Sequence, residues 1–427
     1  MEHVVHDQLA LYLASYCLLN PLQSGFRTGH STVTALVKVT EDIRYAMESR
    51  NLTVVVLLDF SNAFNSVDFD ILLSILRSLN ISSSACNWFD SYLRGRSQCV
   101  RLGENHSNWS TLKSGVPQGG VLFPLLFSIF INTITTVINS NFHLYADDLQ
   151  LYRHFSAVDA AAAIARLNED LDRIYSWAER FGLVVNPTKS QALVIGSRYM
   201  HSCLSLNNIP AVMYNGVPIN YVDSAKNLGL HFSSDLSWSK HINEISKKVH
   251  FSLHSLKNLQ YFLPIKTKTL LAQSLLLPIL DYADSCFLDA TEEQVDKLER
   301  LQNLCIRFIF GLRKFDHVSR FRAELKWLPI RLRRDTHILC LLYNILFNPL
   351  LPNYLRERFK FLHPPGSSCR SNVQLLLRIP SHSSKSYSSS YTVHAARLWN
   401  SLPSSIRTST SIFIFKKNLK EHFLSLT

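Results

Sequence analysis

No stretch of this sequence reaches the ~18 consecutive apolar residues that a membrane-spanning helix needs. The longest apolar run, Val121 to Ile131, is interrupted by Pro124. Positive charge is missing from the extreme N-terminus, where Glu2 and Asp7 stand, so no secretory leader is expected. The eight cysteines (17, 86, 99, 203, 286, 305, 340 and 369) form no CxxC pair and have no histidine spacing typical of zinc. That argues against a zinc-stapled module and for structural thiols in a reducing compartment. No internal repeat is present. An intracellular, soluble protein is the expectation.

Acidic residues are scarce in one half only. Residues 1–240 carry 17 Lys+Arg against 19 Asp+Glu, whereas residues 241–427 carry 27 against 13. A near-neutral front and a basic back suit a protein that grips a polyanion downstream of its reactive site. The 427 residues suggest two or three domains, and 47% apolar composition is ample for their cores.

The chain is organised around Phe142-His-Leu-Tyr-Ala-Asp-Asp-Leu-Gln-Leu-Tyr152, which reads as strand, turn, strand, with Ala146-Asp147-Asp148 at the turn. Two acids at a turn are often only a solvated loop. A third acid changes the balance. Asp59 closes Thr53-Val-Val-Val-Leu-Leu58, an apolar run that reads as a strand buried on both faces. A carboxylate at the end of a buried strand needs a partner, most simply a cation. Brought together, Asp59, Asp147 and Asp148 offer oxygen ligands suited to Mg²⁺. Two such ions about 3.5–4 Å apart serve phosphoryl transfer by stabilising the attacking and leaving oxygens.

Around these acids the elements read as follows. Helices are expected over 3–19 and from Thr32 to about Met47, with the loop Gln23–Thr32 between them. Arg27 and His30 in that loop could approach phosphate. A helix begins near Asp68, and a hairpin turns around Gly103. Phe64 stands five residues after Asp59, where an aromatic ring could exclude a ribose 2′-hydroxyl by clash or simply fill core. Ser114-Gly-Val-Pro-Gln-Gly-Gly120 precedes an apolar helix, a tight loop whose N–H groups can face a substrate. Residues 157–181 form an amphipathic helix, and Lys189 lies in a loop between two short strands. Short strands are expected over about 200–233, with turns at Asn215-Gly216 and near Gly229.

Beyond residue 240 the periodicity is helical. His241, His250 and His254 lie on the first helix beside Lys247 and Lys248 and are expected either at the surface or facing nucleic acid. Thr291-Glu-Glu-Gln294 is a capping box for a helix that Gly311 closes. Arg331, Arg333 and Arg334 head another after Pro329. Pro364-Pro365-Gly366 and the serine-rich stretch 381–390 mark a flexible join before a small helical unit.

In this order the residues resemble the reverse transcriptase of a non-LTR (LINE-type, jockey/CR1-like) retrotransposon over nearly the whole chain. The pieces are Gln23-Ser-Gly-Phe-Arg27, Leu58-Asp-Phe-Ser61 with Ala63-Phe64, Val116-Pro-Gln-Gly119, Tyr145-Ala-Asp-Asp148, Asn186-Pro-Thr-Lys189 and Asn227-Leu-Gly229. Ala395-Ala-Arg-Leu-Trp-Asn-Ser-Leu-Pro403 resembles the tail of such reading frames. The resemblance implies an α+β right-hand polymerase fold. Partial fingers would span 1–52, a palm with an antiparallel sheet 53–238, and a helical, basic thumb 239–362. A linker (363–390) and a C-terminal unit (391–427) would follow.

It also implies an RNA-directed DNA polymerase acting on an RNA template, a DNA primer and dNTPs, with no membrane partner. Asp59, Asp147 and Asp148 would hold two Mg²⁺ ions, with Mn²⁺ as a substitute. Phe60, Phe64, Gln118 and Gly119 would line the nucleotide site, with Phe64 as the gate against ribonucleotides. Lys189 would protonate the leaving pyrophosphate. Arg27, Lys247, Lys248, Arg331, Arg333 and Arg334 would contact nucleic acid, in the nucleus.

The departures are specific. Asn62 and Asn65 replace a customary Lys and Asp, Phe123 replaces a glycine and is expected to crowd the nucleotide pocket, and Thr133 stands where Asp usually follows Asn132. The chain begins inside the fingers by this resemblance, so an upstream triphosphate-binding strand and an endonuclease are expected to be missing. A full-length, endonuclease-bearing element protein is then an implied partner. The alternative is a decayed copy that keeps the fold and at most binds nucleic acid.

Overall fold

The computed structural model describes residues 1–116, 119–204, 209–362 and 375–426. Gln118, Cys369 and the Pro364-Pro365-Gly366 turn lie outside them. The chain forms two compact units. The first comprises Met1–Ser31, Leu52–Val194 and Tyr199–Asp223, and the second Thr32–Asn51, Ile195–Arg198 and Ser224–Thr427.

The first unit is built on a sheet whose strands are, in chain order, β1 (Leu52–Leu58), β2 (Asn141–Tyr145), β3 (Asp148–Phe155), β4 (Gln191–Ile195), β5 (Val212–Tyr214) and β6 (Val217–Tyr221). Their spatial order is β5-β6-β4-β1-β3-β2. The unbroken Val54-Val-Val56 run of β1 is buried on both faces, as its composition requires. β1 pairs antiparallel with β3 from Leu52↔Phe155 to Leu58↔Leu149, and β2 and β3 form the central hairpin. β4 and β6 run parallel, so the sheet is mixed overall and antiparallel where the acids sit.

The helix Ala160–Phe181 packs on β3 and β5 through Ile164, Leu167, Leu171, Ile174 and Trp177, all buried. Asp170, buried on the same helix, accepts hydrogen bonds from the Asn139 (2.9 Å) and Ser140 (2.8 Å) N–H groups and pairs with Arg173. It thereby fixes the chain where it enters β2.

Several expectations need correction. The first helix is Glu2–Ser15 and stops short of the expected residue 19, with Leu9 and Leu13 buried and Val4 and Tyr16 facing solvent. Residues Arg198–Cys203 are a helix where strands were expected. Asn215-Gly216 and Leu228-Gly229 do form the expected tight turns, both residues of each in the left-handed region.

In the second unit, the helix Thr32–Glu48 is the tether. Glu41 is buried and accepts from the Tyr391 (2.5 Å) and Thr392 (3.0 Å) N–H groups. The buried Arg44 forms a double hydrogen bond with Asp289 (2.6 and 3.0 Å) and reaches the Ser386 carbonyl. Glu48 takes both N–H groups of Ser383 and Ser384. The serine stretch expected to be part of a flexible join is therefore folded. It contains the helix Lys385–Ser388, and Ser390 caps Tyr391–Ser401. The capping box at Thr291 and the left-handed Gly311 bound Glu292–Phe310 as the sequence indicated. The helices Tyr391–Ser401 and Ile412–Leu424 pack on Ile330–Phe347.

His241 is not at the surface. It is 4% exposed, edge-on to Phe287 at 5.1 Å, and neither ring nitrogen has a hydrogen-bond partner among the described residues. Burial, aided by His231 and Lys248, lowers its pKa from 6.5 to about 4. The unfolded chain therefore takes up the proton first, and stability falls as pH drops from about 6.5 to about 4. The loss is about 2–3 kcal/mol. His241→Phe should lose much of that acid limb in denaturant unfolding measured across pH 4–7. An unchanged limb would show that the histidine is protonated without cost.

Candidate active site

The two-residue turn between β2 and β3 is Ala146-Asp147, because Tyr145 pairs with Asp148. Ala146 adopts φ +55°, a left-handed conformation that costs an L-residue free energy and persists only where the surroundings enforce it. Asp59 follows β1 immediately. Since Leu58 pairs with Leu149, Asp59 emerges beside Asp148 on the neighbouring strand.

The three carboxylates lie in one another's fields. Burial, then Asp147 and Asp59, raises the pKa of Asp148 to about 6. Burial and Asp59 raise that of Asp147. A set of hard oxygen donors that resist becoming anionic together fits a divalent cation, whose charge would relieve the repulsion. The residues thus fit Mg²⁺.

Two loops brace this corner. Gln23 bridges Leu144, the Ser24 N–H donates to the Leu144 carbonyl (2.8 Å), and the Leu144 N–H donates to Leu22 (3.0 Å). Gly25 lies so close that a Cβ there would fall 2.2 Å from the Ala146 nitrogen. Arg27 donates to the carbonyls of Asn20 (2.8 Å) and Gln23 (3.1 Å), so it closes its own loop. On the other side the Asn186 N–H donates to the Asp59 carbonyl (2.8 Å), and the Asp59 N–H donates to Ser190 Oγ (3.2 Å). Phe60 pairs with Val185. Lys189 is exposed on that loop, whose turn the Asn186 side chain caps.

Phe64 stacks on Phe127 (3.9 Å, 20°) and meets the edge of Phe26 (6.0 Å). Gly119 takes φ +99°. Gln118 lies outside the described residues. Phe123 is buried and stacked on Tyr92 at 5.2 Å, with Arg96 over both rings. Thr133 accepts the Trp177 indole N–H (3.1 Å), and Asn62 and Asn65 hydrogen-bond to each other (2.6 Å).

The basic residues diverge. Lys247 and Lys248 are exposed. Arg331 pairs with Glu292, and Arg333 is held by both oxygens of Asp281. Arg334 is buried and donates to the Phe287 carbonyl (2.6 Å). Asp281, Asp284 and His337 bring ligand atoms within 4.8 Å of one another. However, Arg333 already neutralises Asp281, and His337 bonds Asp284 at 2.6 Å.

Sequence reasoning missed Gly25, whose importance rests on a contact 121 positions away in the chain. Its only local signal was its place in Gln23-Ser-Gly-Phe-Arg27.

An antiparallel palm sheet with acids at one hairpin turn and a neighbouring strand end, together with a helical thumb region, defines the α+β right-hand polymerase class. The family model described as reverse transcriptase (RNA-dependent DNA polymerase) matches residues 1–232, and the chain belongs to that family, in its non-LTR, LINE-type branch. It is 26% identical over 325 residues to a probable RNA-directed DNA polymerase from transposon BS of Drosophila melanogaster, covering 72% of this chain and 34% of that protein. It is 28% identical over 337 residues to the RNA-directed DNA polymerase from mobile element jockey of the same species, covering 76% and 36%. The chain thus spans about a third of the length of these curated relatives. A solved telomerase from Candida albicans in complex with a telomeric RNA fragment is similar at 13% identity and TM-score 0.43, over 78% of this chain and 51% of that one. Among the described residues no helix is long and apolar enough to cross a membrane.

Proposed function

We propose that this chain is an RNA-directed DNA polymerase that extends a DNA primer on an RNA template with dNTPs. The reading is carried by the placement of Asp59, Asp147 and Asp148 at adjoining strand ends and their shared turn. These three would hold two Mg²⁺ ions, which supply activation of the primer 3′-oxygen and charge neutralisation at the phosphates. The surrounding residues act on the substrates. Gly119 and Gln118 belong to the loop that faces the incoming nucleotide, and Phe60 and Phe64 border its sugar. Lys189, exposed on a loop hydrogen-bonded to the Asp59 backbone, donates a proton to the departing pyrophosphate. Lys247 and Lys248 carry phosphate contacts. Arg333 and Arg334 are left out of that role because the Asp281 carboxylate already neutralises the first and the second is buried against the Phe287 carbonyl. Arg27 acts by shaping its loop. A nuclear site of action follows from a DNA primer, and an endonuclease-bearing element protein would supply the nick.

Primer extension on poly(rA)/oligo(dT) with Mg²⁺ and dTTP tests the reading. Template-dependent extension by the chain supports it. No extension with retained RNA binding would leave the decayed, binding-only reading. The gate assignment has its own test. Phe64→Val should raise the ratio of ribo- to deoxynucleotide incorporation roughly 10–100-fold, whereas an unchanged ratio would return Phe64 to the role of a ring packed on Phe127.

A further inference from the structure

Between Glu244 and Asp281 the chain has no acidic residue at all, while it has five lysines (247, 248, 257, 266 and 268) and two histidines. This segment takes in the helix Ser239–Lys257 from Ile245 onward, a turn, and the helix Ile265–Leu271. Its aromatic rings are turned outward. Phe251 is 76% exposed on the first helix, and Tyr261 and Phe262 are 93% and 82% exposed in the turn. Large rings left in water at this density need a partner. The buried face of the same helix, Ile242, Ile245, Val249 and Leu253, shows that its core requirement is met without them.

The pattern indicates which partner. Lys247, Phe251, His254 and Asn258 step by four, three and four, so a lysine, an exposed ring, an imidazole and an amide share one stripe. An amphipathic membrane anchor separates its apolar and cationic residues onto opposite faces. A single nucleic-acid strand instead presents base and phosphate alternately along its length, and unpaired bases stack on exposed rings. A duplex hides its base faces, so it could use the lysines but not the rings. Lys247 makes an ion pair with Glu244 (2.7 Å), but the pair is exposed and of little consequence for competing phosphates.

We propose that Phe251, Tyr261 and Phe262, with Lys247, Lys248 and Lys257, form a stacking platform for single-stranded nucleic acid. It rests on the polymerase reading only in identifying that strand as unpaired template RNA.

The test is fluorescence anisotropy of the full chain with a labelled, unstructured oligo(rU), an RNA duplex of equal length, and phosphatidylcholine vesicles containing phosphatidylserine. The expected result is a preference for the single strand. Tyr261→Ala/Phe262→Ala should weaken oligo(rU) binding roughly 10–100-fold with an unchanged salt slope. Lys247→Ala/Lys248→Ala should flatten the slope of log K against log salt by about 1.4. Both ring substitutions are at exposed turn positions and leave the core intact. The proposal is overturned if the ring variant binds oligo(rU) as the wild type does. It is equally overturned if duplex is bound as tightly with the same loss, or if vesicle binding alone responds. Asp147→Asn should leave oligo(rU) binding unchanged, so failure of this platform and failure of the polymerase reading give different results.

Discussion

Asp147→Asn should lower primer extension on poly(rA)/oligo(dT) by about three orders of magnitude, equivalent to ~4 kcal/mol of transition-state stabilisation, with RNA retention unchanged. Asparagine keeps the size of the side chain and its place in the turn but removes one anionic donor from the set. The substitution should not weaken the fold, because burial and the Asp59 charge already disfavour the carboxylate form of Asp147. In metal-free buffer the variant should melt at the same temperature or higher. A second readout needs no catalysis. Mg²⁺ that binds the folded state and not the unfolded one raises the melting temperature with the logarithm of one plus the ratio of free Mg²⁺ to Kd, and that increment should shrink in the variant. Equal extension by both proteins would remove Asp147 from the chemistry. An equal Mg²⁺ increment would remove it from the metal site.

The parts of this site that the sequence revealed are those encoded locally. Alternation placed the hairpin, the β-branched run placed β1, and the three-four stepping of Ile164 to Trp177 placed the helix behind them. The closing Ala146-Asp147 turn was right to within one residue, and Asp148 proved to belong to β3. What stayed hidden depends on distant partners. Arg333 and Arg334 have the composition of a phosphate clamp, yet Asp281 neutralises the first and the second is buried against the Phe287 carbonyl, each partner some fifty positions away. The serines of 381–390 read as a join from their composition alone. Glu48 takes the Ser383 and Ser384 N–H groups from a helix more than three hundred residues earlier. His241 shares its helix with exposed lysines, but its register points it at Phe287. Local propensity fixes elements, whereas the pairing of charges across elements is set only once the chain has folded.

Gly25→Ala should cost the first unit about 2–3 kcal/mol of stability and reduce extension by at least about 100-fold. The reason is distance rather than backbone freedom, since Gly25 is not among the positive-φ glycines. A Cβ there would stand 2.2 Å from the Ala146 nitrogen and 2.7 Å from its Cα, and backbone atoms cannot rotate aside as a side-chain end can. Neither partner can retreat cheaply. The loop is tied to β2 by the Ser24 and Leu144 hydrogen bonds, and Ala146 is already in a left-handed conformation at the turn that carries Asp147. Relief of the clash therefore has to move the turn, and with it the carboxylate, by a displacement of the size that misaligned catalysis does not tolerate. Gly103→Ala is the control. It lies at φ +63° on an exposed hairpin with no atom within 4 Å of the added carbon, so it bears only the conformational cost of about 1 kcal/mol. Extension should survive there. Similar losses at both glycines would show that chain strain in general, and not the support of the acidic turn, limits extension.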